Sequence, residues 1–136
     1  GTPQRVTGLS DLARDDVVTV LCAVEVPCGR LAALALDEAG VTVEAASLEE
    51  NVRGVVAKVT LGEADAGIVY VTDVQAAGDD AEGVDIEIAD DPELEAVYPV
   101  TVLPDARAER LARAFVDVLV ADHGQRILAE HGFLAP

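Results

Sequence analysis

Residues 20–40 read VLCAVEVPCGRLAALALDEAG, and this stretch decides the fold. An apolar run is followed by a short loop through Pro27, Cys28 and Gly29, and then by an alanine-rich amphipathic run that ends in glycine. The pattern predicts a β-strand that leads into the N-terminus of an α-helix, with Pro27 at or just before the first helical position. Because N–H groups of the loop and of the first helical turn point the same way, the stretch is a candidate site for a small anion.

The composition favours an α/β domain with an aliphatic core. The chain has 136 residues, which suits one domain with a real hydrophobic core. Hydrophobic residues make up 51% of it but aromatic residues only 3%, and Trp and Met are absent. The core must therefore be built from Val, Ala, Leu and Ile, which suits β-branched strands and alanine-rich helices.

The negative charge argues against polyanionic partners. Nine basic residues stand against 26 acidic ones, for a formal net charge of −17. Nucleic acids and anionic membranes both require a basic surface, so neither is expected as a partner. The acidity is interpreted mainly as a solubility feature, with a cationic partner as the minor alternative. No apolar run is long enough for a membrane span, and no secretory signal opens the chain, which leaves its native location open.

The remaining sequence continues the alternation of strand and helix. Apolar strands without polar alternation predict a mainly parallel sheet, and right-handed crossovers place helices over it. The residues SLEE at 47–50 match a capping box, so Ser47 is predicted to begin the second helix. Strands are expected at residues 17–21, 41–45, 64–72, 84–88 and 98–103. Helices are expected at 27–40, 47–61, 105–121 and 122–130. A short capped turn of helix is expected before residue 14, and a turn or a helix start at 90–92.

Three neutral hydrogen-bond donors are expected at one edge of this sheet. They lie at Cys28 in the first loop, at Val52 after Asn51, and at Tyr70 on the third predicted strand. The helix starts supply backbone N–H groups and the tyrosine supplies a hydroxyl, so no lysine or arginine is needed to hold an anion. The alternative is a core tyrosine bonded to the backbone, and Asp73 is expected to cap the turn that follows.

Two cysteines, Cys22 and Cys28, flank the first loop. A fully extended segment would hold them roughly 20 Å apart, and a disulfide allows only about 4.4–6.8 Å between Cα atoms, so a bond requires the loop to fold back. A disulfide and a pair of reduced, buried cysteines both remain open. A redox-active pair is disfavoured because the C-x-x-C spacing is missing.

No metal site is expected. The acidic segment at residues 76–83, AAGDDAEG, lacks the spacing of an EF-hand loop. His123 and His131 have no acidic or cysteine companions at ligand spacing. They are therefore interpreted as histidines at helix ends rather than as zinc ligands.

Four segments resemble the molybdate-binding proteins of ABC importers, in the order that this family has them. They are VLCAVEVPCGRLA, SLEENVRGVVAKVTLGEADAGIVYVTDV, YPVTVL and FVDVLVADHGQRILAEHGFL, and together they span nearly the whole chain. The resemblance implies a type II periplasmic-binding-protein fold, in which two α/β lobes joined by a hinge hold molybdate or tungstate by hydrogen bonds alone. It also implies a periplasmic or extracellular location, a lipoprotein anchor in the parent protein, and a membrane permease as partner.

The resemblance also implies the ligand contacts. In the family, backbone N–H groups of the VP-x-G loop and of the N-V-R segment, and the tyrosine of the G-I-V-Y segment, contact the oxyanion. In this sequence those positions are Cys28, Val52 and Tyr70. The neighbouring residues expected to support them are Pro27, Gly29, Asn51 and Asp73.

By the same resemblance, the chain corresponds to the second half of the family's fold. Residues 1–97 match the second ligand-binding lobe, and residues 98–136 match a return strand and a C-terminal helical tail that packs on the hinge and first lobe. The first lobe is not found in this sequence, so half of the cleft and weak binding by the chain alone are expected. A dimer or a swapped tail is expected because apolar helix residues would lose their cover: Leu111, Phe115, Leu119, Ile127, Leu128 and Phe133.

Two other functions share features of this pattern. A cytosolic oxyanion-sensing effector domain of a transcriptional regulator would share the fold, and an upstream DNA-reading motif would favour it. An enzyme would need a nucleophile or general base in the cleft, and Cys28 is the one thiol at a predicted helix N-terminus. A bond to Cys22 would remove that thiol. The sequence therefore favours a solute-binding protein that is not an enzyme and needs no cofactor.

Overall fold

The structure is a computed structural model that describes residues 5–86 and 94–135. The chain separates into two compact units, Gly1–Ala96 and Val97–Pro136. The sheet and its crossover helices lie in the first unit, and the two C-terminal helices lie in the second.

A small parallel sheet forms the centre of the first unit. Its strands are β1 (Thr19–Cys22), β2 (Ser47–Glu49) and β3 (Ala66–Gly67), in the spatial order β2-β1-β3. All of β1 is buried, because it is the central strand and helices pack against it. The register places Cys22 opposite Glu49 and Val20 opposite Gly67. The predicted α/β class with parallel strands is therefore confirmed.

Helices follow each of these strands. α1 (Pro27–Glu38) follows β1, α2 (Val52–Thr60) follows β2, and α3 (Val71–Ala77) follows β3, while short 3-10 turns span Leu9–Ala13 and Gly78–Asp80. Proline suits the first position of α1 because the N–H it lacks would have no partner inside the helix. After α1 the chain turns at Gly40, whose φ of 65° favours glycine.

The core of the first unit is aliphatic, as the composition predicts. A cluster of buried side chains joins the central strand to α1 and α2, and it comprises Val20, Cys22, Cys28, Val55 and Ala64. Val55 of α2 is fully buried, at 0% exposure. Partly buried side chains pack around this cluster: Val26, Val52, Val59, Val69 and Tyr70.

The predicted start of the second helix at Ser47 is wrong. Residues Ser47–Glu49 form β2, because their backbone pairs in parallel with β1. The Ser47 hydroxyl donates to Glu49 Oε1 at 2.7 Å instead of capping a helix. The helix begins at Val52, and Asn51 is its N-cap, with its side chain accepting the N–H of Gly54 at 3.2 Å. The strand predicted at residues 41–45 is also wrong, since the pairing segment lies further along the chain.

The third predicted strand is too long, and its end is helical. Only Ala66–Gly67 pair with β1, and α3 has begun by Val71. The N–H of Tyr70 donates to Asp73 Oδ2 at 3.1 Å, and the N–H of Asp73 donates to the Tyr70 carbonyl at 3.0 Å. This reciprocal pair turns the chain out of the sheet, so Asp73 caps a helix start here.

The acidic segment at residues 76–83 is partly helical, and the fourth predicted strand does not form over its described residues. Part of the segment at 76–83 is helical, because α3 continues to Ala77 and a 3-10 turn spans Gly78–Asp80. Of the strand predicted at 84–88, residues 84–86 form no strand and residues 87–88 lie outside the described ranges. The turn predicted at 90–92 also lies outside them.

The second unit contains α4 (Glu109–Val120) and α5 (Asp122–Glu130), so both predicted helices are present, the first with a later start. Residues 98–103, predicted as a strand, are described and form none, because no described strand pairs with their backbone. The rings of Tyr98 and Phe133 meet edge to face, with centroids 5.9 Å apart. A methyl group at Gly124 would overlap the carbonyl oxygen of Val118, so glycine lets α5 begin directly against the end of α4.

Candidate functional site

The carboxyl ends of the three strands define the candidate site. Each strand ends shortly before a helix begins: Cys22 before α1, Glu49 before α2, and Gly67 before α3. Because the strands are parallel, these ends lie at one edge of the sheet, where open α/β sheets bind their ligands. All three predicted contact residues belong to these connections.

Cys22 and Cys28 form a disulfide across the first connection. Their Cα atoms are 5.8 Å apart, because the loop folds back between the end of β1 and the first turn of α1. Of the two alternatives that the sequence leaves open, the structure has the bonded one. Neither cysteine is a free thiol, so the nucleophile that a Cys28 enzyme would need is absent.

The first turn of α1 presents the backbone of Cys28. Pro27 has no N–H, so the N–H of Cys28 is the first of the helix. The next two amides, of Gly29 and Arg30, both donate to the Val26 carbonyl at 3.1 Å. The N–H of Cys28 makes no hydrogen bond with any other described residue.

Glycine is required beside this amide. A methyl group at Gly29 would overlap the carbonyl of Ala23 and would lie 2.6 Å from the carbonyl oxygen of Cys22. The absent side chain lets the start of α1 approach the backbone that follows β1. Gly29 therefore supports the position of the Cys28 amide.

The start of α2 repeats this arrangement. The side chain of Asn51 accepts the N–H of Gly54, the third residue of the helix. The N–H of Val52, the first residue, makes no hydrogen bond within the described part of the chain. Arg53 is exposed. A second backbone donor without a partner among the described residues therefore lies at the same edge of the sheet, as expected for a helix N-terminus.

Tyr70 lies at the third connection, directly before α3. Its half-buried side chain packs against the core cluster that contains Cys28, and Val52 packs against the same cluster. Cys28 and Tyr70 also line one cavity of about 110 Å³, whose other walls are aliphatic. The structure thus brings all three predicted contact residues to one cluster.

A polar triangle beside α2 was missed by sequence reasoning. Lys58 Nζ lies 2.6 Å from Glu49 Oε1 and donates to Ser47 Oγ at 2.8 Å, and Ser47 Oγ donates to the same carboxylate oxygen at 2.7 Å. Hydrogen bonds from Lys58 and Ser47 hold the pKa of Glu49 below its ordinary value. The one available signal was that Lys58 is the only lysine in the sequence.

Residues 5–86 and 94–135 contain neither a cluster of metal ligands nor a membrane-spanning helix. There, no three His, Cys, Asp or Glu side chains are grouped so that they could hold a metal ion. In the same residues, none of the helices combines the length and the apolar character that crossing a bilayer demands.

Comparison with known proteins relates nearly the whole chain to one family. The family model described as bacterial extracellular solute-binding protein matches residues 1–134. The molybdate-binding proteins ModA of Mycobacterium bovis and Mycobacterium tuberculosis are each 34% identical over 136 residues, which is 100% of this chain and 51% of theirs. YvgL of Bacillus subtilis, whose name proposes an ABC transporter substrate-binding lipoprotein, is 26% identical over 137 residues, 96% of this chain and 50% of its own.

The chain therefore spans about half the length of the curated relatives it matches. No solved structure matches it significantly. The family match covers both compact units, and the parallel sheet with its crossover helices agrees with it. The chain belongs to the bacterial extracellular solute-binding protein family.

Proposed function

We propose that this chain supplies one side of a molybdate or tungstate site in the solute-binding component of an ABC importer. The observation that carries the proposal is a pair of helix-start amides, at Cys28 and Val52, which lie on one edge of the sheet and have no hydrogen-bond partner among residues 5–86 and 94–135. Tyr70 is the third proposed contact. The ModA relatives, which are named as molybdate-binding proteins, supply the identity of the ligand.

Neutral donors suit the capture and release of a dianion. Backbone N–H groups at a helix N-terminus carry partial positive charge, so they attract an oxyanion without a cationic side chain. Arg30 and Arg53, the arginines nearest these amides in sequence, are exposed. A site without a formal counter-charge holds the ligand by geometry and cavity size, and sulfate is expected to bind less well because it is smaller.

The proposed role is transport rather than catalysis or gene regulation. The protein would bind the oxyanion outside the cytoplasm, in the periplasm or anchored as a lipoprotein, and deliver it to a membrane permease. Membership of an extracellular solute-binding family supports this role over that of a cytosolic regulator. The proposal includes no cofactor, and Cys28 acts through its backbone while its sulfur is held in the disulfide.

We also propose that the chain holds only half of the binding cleft. Residues 1–97 would form the second ligand-binding lobe, and residues 98–136 a segment that packs on the hinge and first lobe. Two facts support this division: the chain covers 51% of the ModA relatives, and the boundary between the two units lies at Ala96–Val97. The remaining ligand contacts would come from residues outside these 136.

Replacing Val52 with proline is expected to weaken molybdate binding by about 10- to 100-fold, because a charge-assisted hydrogen bond is worth about 1.5–3 kcal/mol. Proline removes the N–H but is well tolerated at the first position of a helix, and the extended conformation of Asn51 suits a residue before proline. Isothermal titration with sodium molybdate, in the protein as the cell makes it, measures the effect.

The matched control is Val52→Ala, which loses similar packing but keeps the N–H. Equal affinities for the two variants would contradict the proposed contact. In the same assay, the unchanged protein is expected to bind with a dissociation constant of about 1 μM or tighter, and the 136-residue chain alone far more weakly. Micromolar binding by the isolated chain as a monomer would contradict the half-cleft proposal.

We propose that a second copy covers the apolar surface of the second unit when the chain is isolated, as a dimer or by a swapped tail. Leu111 is 67% and Phe115 62% exposed, Ile127 and Phe133 are also exposed, and Leu119 and Leu128 are half-buried. Light scattering at high concentration is expected to show a dimer that Phe115→Glu weakens. Leu61→Glu, at an exposed leucine of the other unit, is the control, and a clean monomer would contradict the proposal.

A further inference from the structure

The carboxylate of Glu49 lies beside the first turn of α2, where the proposed site offers the Val52 amide. A methyl group at Gly54 would come within 2.9 Å of Glu49 Oε2 and 3.1 Å of its Cβ. Glu49 therefore occupies the space that a side chain at Gly54, the third residue of the helix, would need. This places an acidic group close to a helix start that is proposed to receive a dianion.

Lys58 is positioned to neutralise that group. Gly54 and Lys58 are four residues apart, so they lie on the same face of α2, and helical side chains tilt toward the N-terminus. Lys58 therefore reaches back over Gly54 to the carboxylate, and its Nζ lies 2.6 Å from Oε1. Both side chains are largely shielded, at 31% and 19% exposure, so this pair is screened less than an exposed one.

Ser47 also holds the Glu49 carboxylate in place. Its hydroxyl donates to Glu49 Oε1 at 2.7 Å and accepts from Lys58 Nζ at 2.8 Å. The Ala23 amide donates to the Glu49 carbonyl at 2.8 Å, which ties the same residue to the chain after β1. The side chains of Ser47, Glu49 and Lys58 therefore connect the end of β2 to α2, and the first turn of α2 carries Val52.

We infer that Lys58 is a positioning residue of the oxyanion site: it cancels the charge of Glu49, so that this carboxylate does not repel a dianion at the start of α2. The inference rests on the proposed function. An unpaired carboxylate at this place would repel the ligand and compete for the partial positive charge of the helix start. Lys58 would contribute without touching the ligand.

The test compares three variants by isothermal titration with sodium molybdate, in the protein as the cell makes it with any residues that flank this chain. Lys58→Met leaves Glu49 charged and without a neighbouring cation, and it is expected to weaken binding about tenfold or more. Glu49→Gln combined with Lys58→Met removes both charges, and affinity is expected to return to within about threefold of the unchanged protein. Lys58→Arg keeps the pair and is expected to retain affinity.

The double variant separates charge from structure. If the pair acted only as a structural link, removing both partners would not restore binding, and that result would overturn the inference. Arg113→Met is the matched control, because Arg113 pairs with Glu109 at 2.7 Å in the other unit, and its affinity is expected to be unchanged.

The outcomes also distinguish this inference from the proposed function. Absence of molybdate binding by the unchanged protein would overturn the proposed function, and the inference with it. Normal binding by the unchanged protein together with equal binding by Lys58→Met would overturn the inference alone. Thermal melting of each variant verifies that the titrations compare folded proteins.

Discussion

Gly29→Ala is expected to destabilise the protein by about 3 kcal/mol or more. The added methyl group would overlap the carbonyl of Ala23, and backbone atoms cannot rotate away as a flexible side chain can. Separation of the two segments is also restricted, because the Cys22–Cys28 disulfide ties the end of β1 to the start of α1. Urea denaturation, monitored by far-ultraviolet circular dichroism, measures the change.

The matched control for this substitution is Gly8→Ala. No atom lies within 4 Å of the position that a methyl group would take at Gly8, and its φ of 177° is open to any residue. Its free energy of unfolding is expected to change by less than about 0.5 kcal/mol. A loss of less than about 1 kcal/mol in Gly29→Ala would contradict the close packing described for α1, since overlap with the backbone costs more than that.

The same substitution is expected to weaken ligand binding. Any shift that relieves the overlap moves the first turn of α1, and with it the Cys28 amide. A preorganised donor loses most of its value when it moves out of hydrogen-bond range. Titration of Gly29→Ala with molybdate, under conditions in which it remains folded, is therefore expected to show weaker binding than Gly8→Ala.

The second large effect is expected from Gly67 and Val55, where β3 meets α2. A methyl group at Gly67 would overlap Cγ1 of Val55 and lie 2.8 Å from the carbonyl oxygen of Val20. Gly67→Ala alone is expected to cost about 2–3 kcal/mol through overpacking. Val55→Ala alone is expected to cost about 2 kcal/mol, because it leaves a cavity at a fully buried position.

The double variant tests whether these two residues share one space. Removing Cγ1 of Val55 makes room for the new methyl group, so the double variant is expected to lose at least about 1 kcal/mol less than the sum of the single losses. It should stay below the unchanged protein in stability, because the Val20 carbonyl remains close.

Val59→Ala serves as the control for this cycle. Val59 packs against the same core cluster, but none of the three atoms nearest to a methyl group at Gly67 belongs to it. The stability lost by the Val59→Ala and Gly67→Ala double variant is expected to equal the sum of the two single losses within about 0.5 kcal/mol. Additive losses in the Val55 and Gly67 cycle would contradict the contact.

Local sequence signals located the start of α1 at Pro27, because this start depends on neighbouring residues. Proline at the first position and glycine two residues later are features of the chain itself. The prediction failed at Ser47, where the same residues fit both a capping box and a short strand. Pairing with β1 favours the strand, and pairing with a distant segment leaves no local pattern.

The predicted strands at residues 64–72 and 98–103 were wrong for a related reason. Residues 64–72 are apolar throughout, which fits a buried strand or a buried helix equally well. The hydrogen bonds between Tyr70 and Asp73 begin α3 and take the chain out of the sheet. Residues 98–103 have strand-like composition but no described strand beside them, and a strand requires a partner for its backbone.

The parallel α/β class and the aliphatic core follow from composition and hydrophobic period, because these signals act over a few neighbouring positions. The disulfide, the register of β2 and the ion pair of Lys58 with Glu49 depend instead on the distance between segments. Those distances are set when the backbone folds back on itself and buries its apolar side chains. The contact between Gly29 and Ala23 belongs to the same group, because a glycine in the sequence does not say which carbonyl it will meet.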